Sequence, residues 1–184
     1  MVAASMTARR IYPDLKIRLK RRADGSAAIT CERADGTITW QRQEGKIGVV
    51  FPAHDMTHYA VETTFGYTDG FFGLVADGWD ILDFAKPWPR GPIPDEAREV
   101  ELLVGLLDTQ RRIMADWNAE DLLEQARLYV GSNRDKVALP LLTDEMLERV
   151  KSLRSQVFAK WSCIEPGDTL ELLFQRNVSR RAPG

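Results

Sequence analysis

The residues best suited to chemistry in this chain lie in one short stretch, PAHDMTHYAVE, at positions 52–62. It contains both histidines of the 184-residue chain, His54 and His58, and two acidic residues, Asp55 and Glu62. Imidazole and carboxylate groups spaced four residues apart are suited to metal binding or to acid/base chemistry. The stretch therefore predicts either a functional cluster or a polar start to a helix.

A metal site at this stretch requires that the helix already include His54. His54, His58 and Glu62 would then lie at positions i, i+4 and i+8, each about 40° from the next around the helix. We expect them to bind one divalent metal ion, with zinc the natural choice, and to leave a position open for water. A fourth ligand would come from the acidic segment DGWDILD, through Asp77, Asp80 or Asp83.

The spacing of the histidines is similar in geometry to the HExxH helix of zinc proteases, but the similarity covers five residues and carries no peptidase assignment. Asp55 stands where that motif has glutamate. As the catalytic residue, Asp55 would accept a proton from the water, with a side chain one methylene shorter. These residues favour a metal-dependent hydrolase with a small-molecule substrate. Three ligands in a row strain a tetrahedral site, so Glu62 is alternatively a partner that orients His58.

A purely structural interpretation competes with the metal site. Asp55 follows Phe51 and Pro52 and is well placed to cap the first turn of a helix. In that case His54 precedes the helix, and the row of three ligands is lost. His58 is then a partly buried histidine that hydrogen-bonds with Glu62.

The distribution of charge favours a different class of function. Residues 1–50 carry ten Lys/Arg against five Asp/Glu, whereas residues 51–184 carry fifteen against twenty-two. Several cations on one sheet face would suit a nucleic-acid-binding module. The basic residues concerned are Lys16, Arg18, Lys20, Arg21, Arg22, Arg33 and Arg42. A non-enzymatic interaction protein is the further alternative, with the long C-terminal helices forming the surface of a homo-oligomer.

The pattern of the whole chain predicts an α+β fold. The segment LKIRLKRR alternates apolar and basic residues, and two Asp-Gly turns connect it to AAITCER and ITWQRQ. These signals are typical of a three-stranded antiparallel meander. GKIGVVF is expected to add a fourth strand, and PGDTLELLF to close the chain as a strand beside the meander. The segments between them have helical periodicity, so we expect a small antiparallel sheet packed against several helices.

We expect residues 1–184 to form a single domain. Residues 86–94 contain four prolines and are interpreted as an ordered connector within it. Residues 1–13 and 177–184 are expected to be disordered. No segment approaches the roughly 18 apolar residues needed to span a bilayer, so we expect a cytoplasmic protein without a membrane partner. Cys31 and Cys163 form no C-x-x-C pair, and neither a Walker loop nor a GxSxG motif occurs.

Overall fold

The N-terminal meander and the C-terminal strand form one antiparallel sheet, as the sequence predicts. The computed structural model describes residues 14–132 and 140–176, so the predicted disordered ends lie outside the described residues. The strands, in the order β3-β2-β1-β4 across the sheet, are β1 Leu15–Arg21, β2 Ala27–Arg33, β3 Ile38–Arg42 and β4 Thr169–Phe174. The α+β prediction is confirmed.

Both hairpins have the turn chemistry that their Asp-Gly pairs predict. Gly25 and Gly36 have φ values of 81° and 85°, a region that glycine enters at no steric cost. The preceding aspartates accept hydrogen bonds from the backbone two residues later, Asp24 from Ser26 at 3.0 Å and Asp35 from Thr37 at 2.9 Å. These local bonds fix the register of the meander.

Helices occupy most of the chain between the third and fourth strands. They are α1 Gly45–Gly48, α2 Phe51–Phe65, α3 Phe71–Ala76, α4 Asp95–Arg112, α5 Ala119–Ser132 and α6 Asp144–Ser162, with a 3-10 helix at Ile81–Phe84. Asn118 and Thr143 accept hydrogen bonds from Asp121 and Met146 at the starts of α5 and α6. α4 ends at Arg112, and Met114 just beyond it is exposed. No helix of the described ranges is both long and apolar enough to cross a membrane.

The start of α2 corrects two sequence-based expectations. The segment GKIGVVF forms no strand: Gly45–Gly48 is α1, Phe51 begins α2, and Val49 and Val50 between them are about half exposed. Pro52 lies in the first turn of α2, where its missing N–H costs no hydrogen bond. The helix therefore begins before Asp55, which is not its N-cap, and His54 lies within it. Gly66 ends α2 in a left-handed conformation.

α2 lies between two apolar clusters and contributes side chains to both. The first cluster lies against the inner face of the sheet and includes Ile17, Leu172 and Met56 of α2. The second lies among the helices and includes Val61 of α2 and Leu103 of α4. Because α2 is covered on nearly all sides, its polar residues have few routes to water and require partners inside the protein. The buried ones are Asp55, Thr57, His58 and Glu62.

Four basic residues of the N-terminal segment, Lys16, Arg18, Lys20 and Arg42, lie on the outer face of the sheet, and several of them are ion-paired. Arg18 contacts both Glu32 at 2.7 Å and Glu171 at 3.1 Å, and Arg42 contacts Glu44 at 2.9 Å. Arg33 turns away and donates to the carbonyl oxygens of Val75 and Trp79, each at 2.6 Å. These contacts neutralise part of the charge on which the nucleic-acid interpretation depends.

Candidate metal centre

The two histidines lie one turn apart on α2 and present the same ring nitrogen to each other. Nε2 of His54 and Nε2 of His58 are 3.2 Å apart, and the ring planes meet at 77°. His58 is 4% exposed and is flanked by the rings of Phe71 and Phe72. The i, i+4 geometry that the sequence predicted is therefore present.

Each histidine contacts a carboxylate through its other ring nitrogen. Nδ1 of His58 is 3.2 Å from Glu62 Oε1, and Nδ1 of His54 is 3.0 Å from Asp108 Oδ2. An ionised carboxylate only accepts hydrogen bonds, so these contacts place a proton on Nδ1 of both rings. In a neutral imidazole with this tautomer, Nε2 carries a lone pair. When both rings are neutral, the two lone pairs therefore lie on the side of the rings where the Nε2 atoms approach.

Glu101 of α4 supplies a third donor atom at the same point. Its Oε2 is 3.1 Å from His58 Nε2, and its Oε1 is 3.7 Å from His54 Nε2. Ligand atoms of His54, His58 and Glu101 all lie within 4.8 Å of one another. Two lone pairs and a carboxylate at such distances repel one another unless a positive charge lies among them. The arrangement can be satisfied by protons on Nε2 or by a metal ion.

The electrostatics of the cluster strongly favour bound positive charge. Burial of His58 disfavours its charged form, but hydrogen bonds with Glu101 and Glu62 outweigh this effect and raise the pKa of His58 to about 10. Desolvation acts against the charged form of Glu101, yet the hydrogen bond and charge of His58 lower the pKa of Glu101 to about 2. Burial likewise acts to raise the pKa of Asp108, but the hydrogen bond and charge of His54 outweigh it, so the pKa of Asp108 is lowered. Three carboxylates thus surround two imidazoles, an excess of negative charge that a divalent cation would neutralise.

The first turn of α3 and the loop that leads into it hold the buried carboxylate of Glu62. Glu62 Oε2 accepts hydrogen bonds from the backbone N–H groups of Phe72 at 2.9 Å and Gly73 at 3.2 Å. Gly70 permits this approach, because a Cβ atom there would lie only 2.6 Å from Glu62 Oε2. Glu96 of α4 secures the same loop by accepting from the N–H groups of residues 68 and 69, each at 2.6 Å. The backbone therefore positions Glu62, and Glu62 positions His58.

A cavity of about 640 Å³ adjoins the three-ligand cluster. Its walls are largely apolar, formed by side chains such as Phe51, Phe71, Ile81, Phe84 and Trp88. Residues 85, 88, 92 and 93 also line it, so the predicted connector contributes one wall. Cavities of this size and character are typical of sites for small organic molecules.

Asp55 and Gln43 form a buried polar pair in the wall of this cavity. Gln43 Nε2 donates to Asp55 Oδ2 at 2.7 Å, and the two residues are 4% and 6% exposed. Burial raises the pKa of Asp55 to about 6, against the smaller opposing effect of the Gln43 hydrogen bond. Gln43 Oε1 is also buried, and within the described residues it has no hydrogen-bond partner.

The cluster includes two acidic residues that the sequence reasoning missed. Glu101 and Asp108 lie seven residues apart on α4, a spacing that places both on one face of that helix. Their spacing is a signal, but only the packing of α4 against α2 brings them to the histidines. Conversely, the predicted fourth ligands have other partners: Asp77 contacts Arg176, Asp80 contacts Arg33, and Asp83 contacts Arg90. Glu62 lies on the Nδ1 side of His58, away from the shared Nε2 point.

The chain was also compared with known proteins. No protein-family model, curated protein or solved structure gives a significant match. The functional argument therefore depends on the geometry of the cluster and its cavity.

Proposed function

We propose that this protein is a metal-dependent hydrolase whose divalent cation is bound by His54, His58 and Glu101. Zinc is the first choice, because two imidazoles and one carboxylate form a common catalytic ligand set for zinc. In this proposal Glu101 takes the ligand position that the sequence assigned to Glu62. Glu62 and Asp108 serve instead as the carboxylates that orient the two imidazoles.

One observation carries the proposal: each Nδ1 is held by a carboxylate while both Nε2 atoms converge with Glu101. Histidine ligands of metals almost always donate their second N–H to a carboxylate, a carbonyl or water, and this bond fixes the ring for coordination. Without a metal, a neutral imidazole donates from one nitrogen only, whereas a protonated His58 would donate to both Glu62 and Glu101. Two histidines with the same arrangement and a shared Nε2 point favour coordination.

A divalent cation at this point would lower the pKa of a coordinated water molecule and polarise the substrate's carbonyl or phosphoryl oxygen. The cavity supplies space for the rest of a small-molecule substrate, and Phe71 lies against His58 at the boundary between them. In hydrolysis the water oxygen bonds to the acyl or phosphoryl centre, the bond to the leaving group breaks, and one proton passes to the leaving group.

Asp55 remains the proposed carrier of that proton. Its carboxylate lines the same cavity as the histidines and Glu101, and Gln43 holds it in place. We expect Asp55→Asn to retain the metal and to lower kcat by a factor on the order of 100 to 10,000, the usual contribution of a positioned base. An Asp55→Asn variant with the wild-type kcat would remove Asp55 from the mechanism and leave the metal site intact.

The experiment that tests the proposal is metal analysis of untagged protein by mass spectrometry, combined with two glutamate variants. We expect about one divalent metal ion per chain in the wild type and in Glu120→Gln, an exposed control position on α5. Glu101→Gln should lose most of the metal, together with hydrolysis of chromogenic ester, amide and phosphate substrates.

The alternative outcomes separate the parts of the proposal. Protein that takes up no zinc, iron, manganese or cobalt, even when the ions are added, would contradict the metal site. Stoichiometric iron would retain the ligand set and contradict zinc, because two histidines and one carboxylate also bind iron(II) in oxygenases. Metal without hydrolysis of any substrate class would contradict the hydrolase assignment alone.

A further inference from the structure

One aromatic residue of the cavity wall has an unusual backbone conformation. Trp88 has a φ of 57°, in the left-handed region that bulky residues rarely adopt. Its N–H donates to the carbonyl oxygen of Ala85 at 3.0 Å, and its carbonyl oxygen accepts from the N–H of Gly91 at 2.9 Å, so a turn closes on each side of it. Such conformations persist only where the surrounding structure enforces them, and they are frequent at ligand sites. The conformation therefore indicates that the position of this side chain matters.

The connector that carries Trp88 is fixed to the segment containing the 3-10 helix. Arg90 donates to Asp83 Oδ2 at 2.6 Å and to the carbonyl oxygen of Gly78 at 2.8 Å. A proline on each side of Trp88 restricts the backbone further. The connector thus holds Trp88 at the cavity wall before any ligand is present.

The ring of Trp88 differs from other aromatic rings of the cavity wall because no neighbouring ring packs against it among the described residues. Phe71 and Phe84, by contrast, lie against each other with 4.7 Å between ring centroids. The ammonium group of Lys86 lies 5.2 Å from the Trp88 ring centre. Trp88 lines the cavity and is 40% exposed, so apolar surface of this residue remains open to a ligand.

An aromatic ring in the ligand would supply the missing neighbour. Aromatic pairs attract each other beyond the area that they bury, in offset or edge-to-face packing. The cavity has a volume of about 640 Å³, and the cluster of His54, His58 and Glu101 lines it together with Trp88. A volume of this size suits one small organic molecule with a ring against Trp88 and a polar group at the cluster.

We infer that the cavity binds a small molecule with an aromatic ring and that Trp88 selects this ligand by packing against the ring. The inference rests on the proposed function where it names the substrate class, which is an ester, amide or phosphate that carries an aryl group. The ring contact itself depends on Trp88 and not on the metal.

The test compares two probes of similar shape, benzyl alcohol with an aromatic ring and cyclohexylmethanol with a saturated ring. Cyclohexylmethanol has the larger apolar surface, so burial alone would favour it. Dissociation constants are measured by NMR titration of the purified 184-residue chain, both in a chelator and with added zinc. We expect benzyl alcohol to bind roughly 3- to 10-fold more tightly, the ratio that one aromatic pair supports.

Three variants assign the preference to one residue. Trp88→Leu retains an apolar side chain without the ring and should abolish the preference, whereas Trp88→Phe retains a ring and should keep most of it. Trp40→Leu is the matched control and should keep all of it, because Trp40 is 63% exposed on the sheet and lies outside the cavity wall. A purely structural role of Trp88 would weaken both probes equally.

The indole N–H signal of Trp88 gives a second readout in the wild type. It is one of five tryptophan signals and is assigned by its absence in Trp88→Leu. Benzyl alcohol should shift it more than cyclohexylmethanol does, because a ring packed on the indole alters the local magnetic field.

Equal affinities, tighter binding of cyclohexylmethanol, or no binding of either probe at millimolar concentration would overturn the inference. An aromatic preference that persists in folded Trp88→Leu would overturn it as well. Failure of the metal site is separable: an aromatic preference in protein that binds no metal leaves the ring contact standing and removes the hydrolase. Bound metal without an aromatic preference has the opposite meaning.

Discussion

The outer face of the sheet and the α2–α4 cluster both bring a basic group between carboxylates, but in different surroundings. On the sheet, Arg18 lies between Glu32 and Glu171, and all three side chains are about one third to one half exposed. In the cluster, His58 lies between Glu62 and Glu101, and His58 and Glu62 are almost completely buried. Water reaches all three side chains on the sheet, whereas in the cluster it reaches Glu101, whose side chain is 62% exposed, but hardly reaches His58 or Glu62.

This difference shows which of the charged residues in the chain are useful indicators of function. The basic sheet face looked informative in the sequence, yet its ion pairs are local and solvated. The cluster has more carboxylates than basic groups, and the point where its Nε2 atoms meet Glu101 needs bound positive charge, either a proton or a metal ion, that the sheet face does not. Four predictions sharpen this comparison.

The largest expected effect is that of pH on metal binding. The raised pKa of His58, about 10 against 6.5 for a free histidine, means that a proton competes with the metal at neutral pH. Displacing one proton makes metal affinity rise roughly tenfold per pH unit, or about 100-fold between pH 6 and pH 8. Zinc titrations at several pH values measure this slope, and an affinity independent of pH would contradict it.

In metal-free protein a rise in pH should have the opposite effect on stability: it should lower the free energy of unfolding. A histidine whose folded pKa is raised contributes stability below its unfolded pKa and loses it as pH rises through the folded value. Metal-free protein should therefore lose on the order of a few kcal/mol of unfolding free energy between about pH 6.5 and pH 10. The raised pKa of Asp55 acts at lower pH, between 3.8 and about 6, and does not overlap this window. Denaturant titrations in a chelator should show the decline, and zinc should suppress it.

The second prediction concerns the buried carboxylate. In Glu62→Gln the amide offers one acceptor oxygen to three donors: His58 Nδ1 and the N–H groups of Phe72 and Gly73. We expect metal affinity to fall by about 10- to 100-fold and stability by roughly 1–3 kcal/mol. Glu32→Gln on the sheet is the matched control and should leave metal affinity unchanged.

The third prediction concerns the loop that holds Glu62. In Gly70→Ala the added methyl group would lie 2.6 Å from Glu62 Oε2, so the carboxylate must shift. We expect about tenfold weaker metal binding, because the change reaches the metal only through His58. Gly105→Ala on α4 is the control: nothing lies within 4 Å of its Cβ, and it should stabilise the protein by roughly 0.5–1 kcal/mol without changing metal affinity. Equal metal affinity in the two variants would show that the close approach of Gly70 to Glu62 does not affect the metal site.

The smallest effect is expected on the sheet. Arg18→Gln removes two exposed ion pairs, with Glu32 and Glu171, and should change stability by no more than about 1 kcal/mol. Metal content should remain that of the wild type. A large loss of metal on this substitution would show that the two regions are coupled, contrary to the comparison.

The features that the sequence predicted correctly depend on neighbouring residues. Alternation in β1 and the two Asp-Gly turns are local features, and each is present. The start of α2 was misjudged because the apolar run GKIGVVF before Pro52 resembles a strand. Pro52 lies in the first turn of the helix, where proline is favoured.

The sequence predicts the part of the site that lies on one helix, but not the part that depends on how two helices pack together. His54, His58 and Glu62 share one helix, so their relative positions follow from the 3.6-residue period. Glu101 reaches His58 across 43 residues of sequence, and that contact exists only once α2 and α4 pack together. The orientation of each ring, which decides between a ligand and a partner role for Glu62, is likewise set by this packing.

The most direct test of the metal centre uses the fact that the chain has only two histidines. Protein labelled with ¹⁵N-histidine gives two ring spin systems, and long-range ¹H–¹⁵N spectra report which nitrogen carries the proton. With one equivalent of zinc, we predict that both rings retain the proton on Nδ1 and that both Nε2 signals shift to metal-bound values. Spectra unchanged by zinc, with a proton on both nitrogens of His58, would contradict the account and define the cluster as a buried ion-pair network.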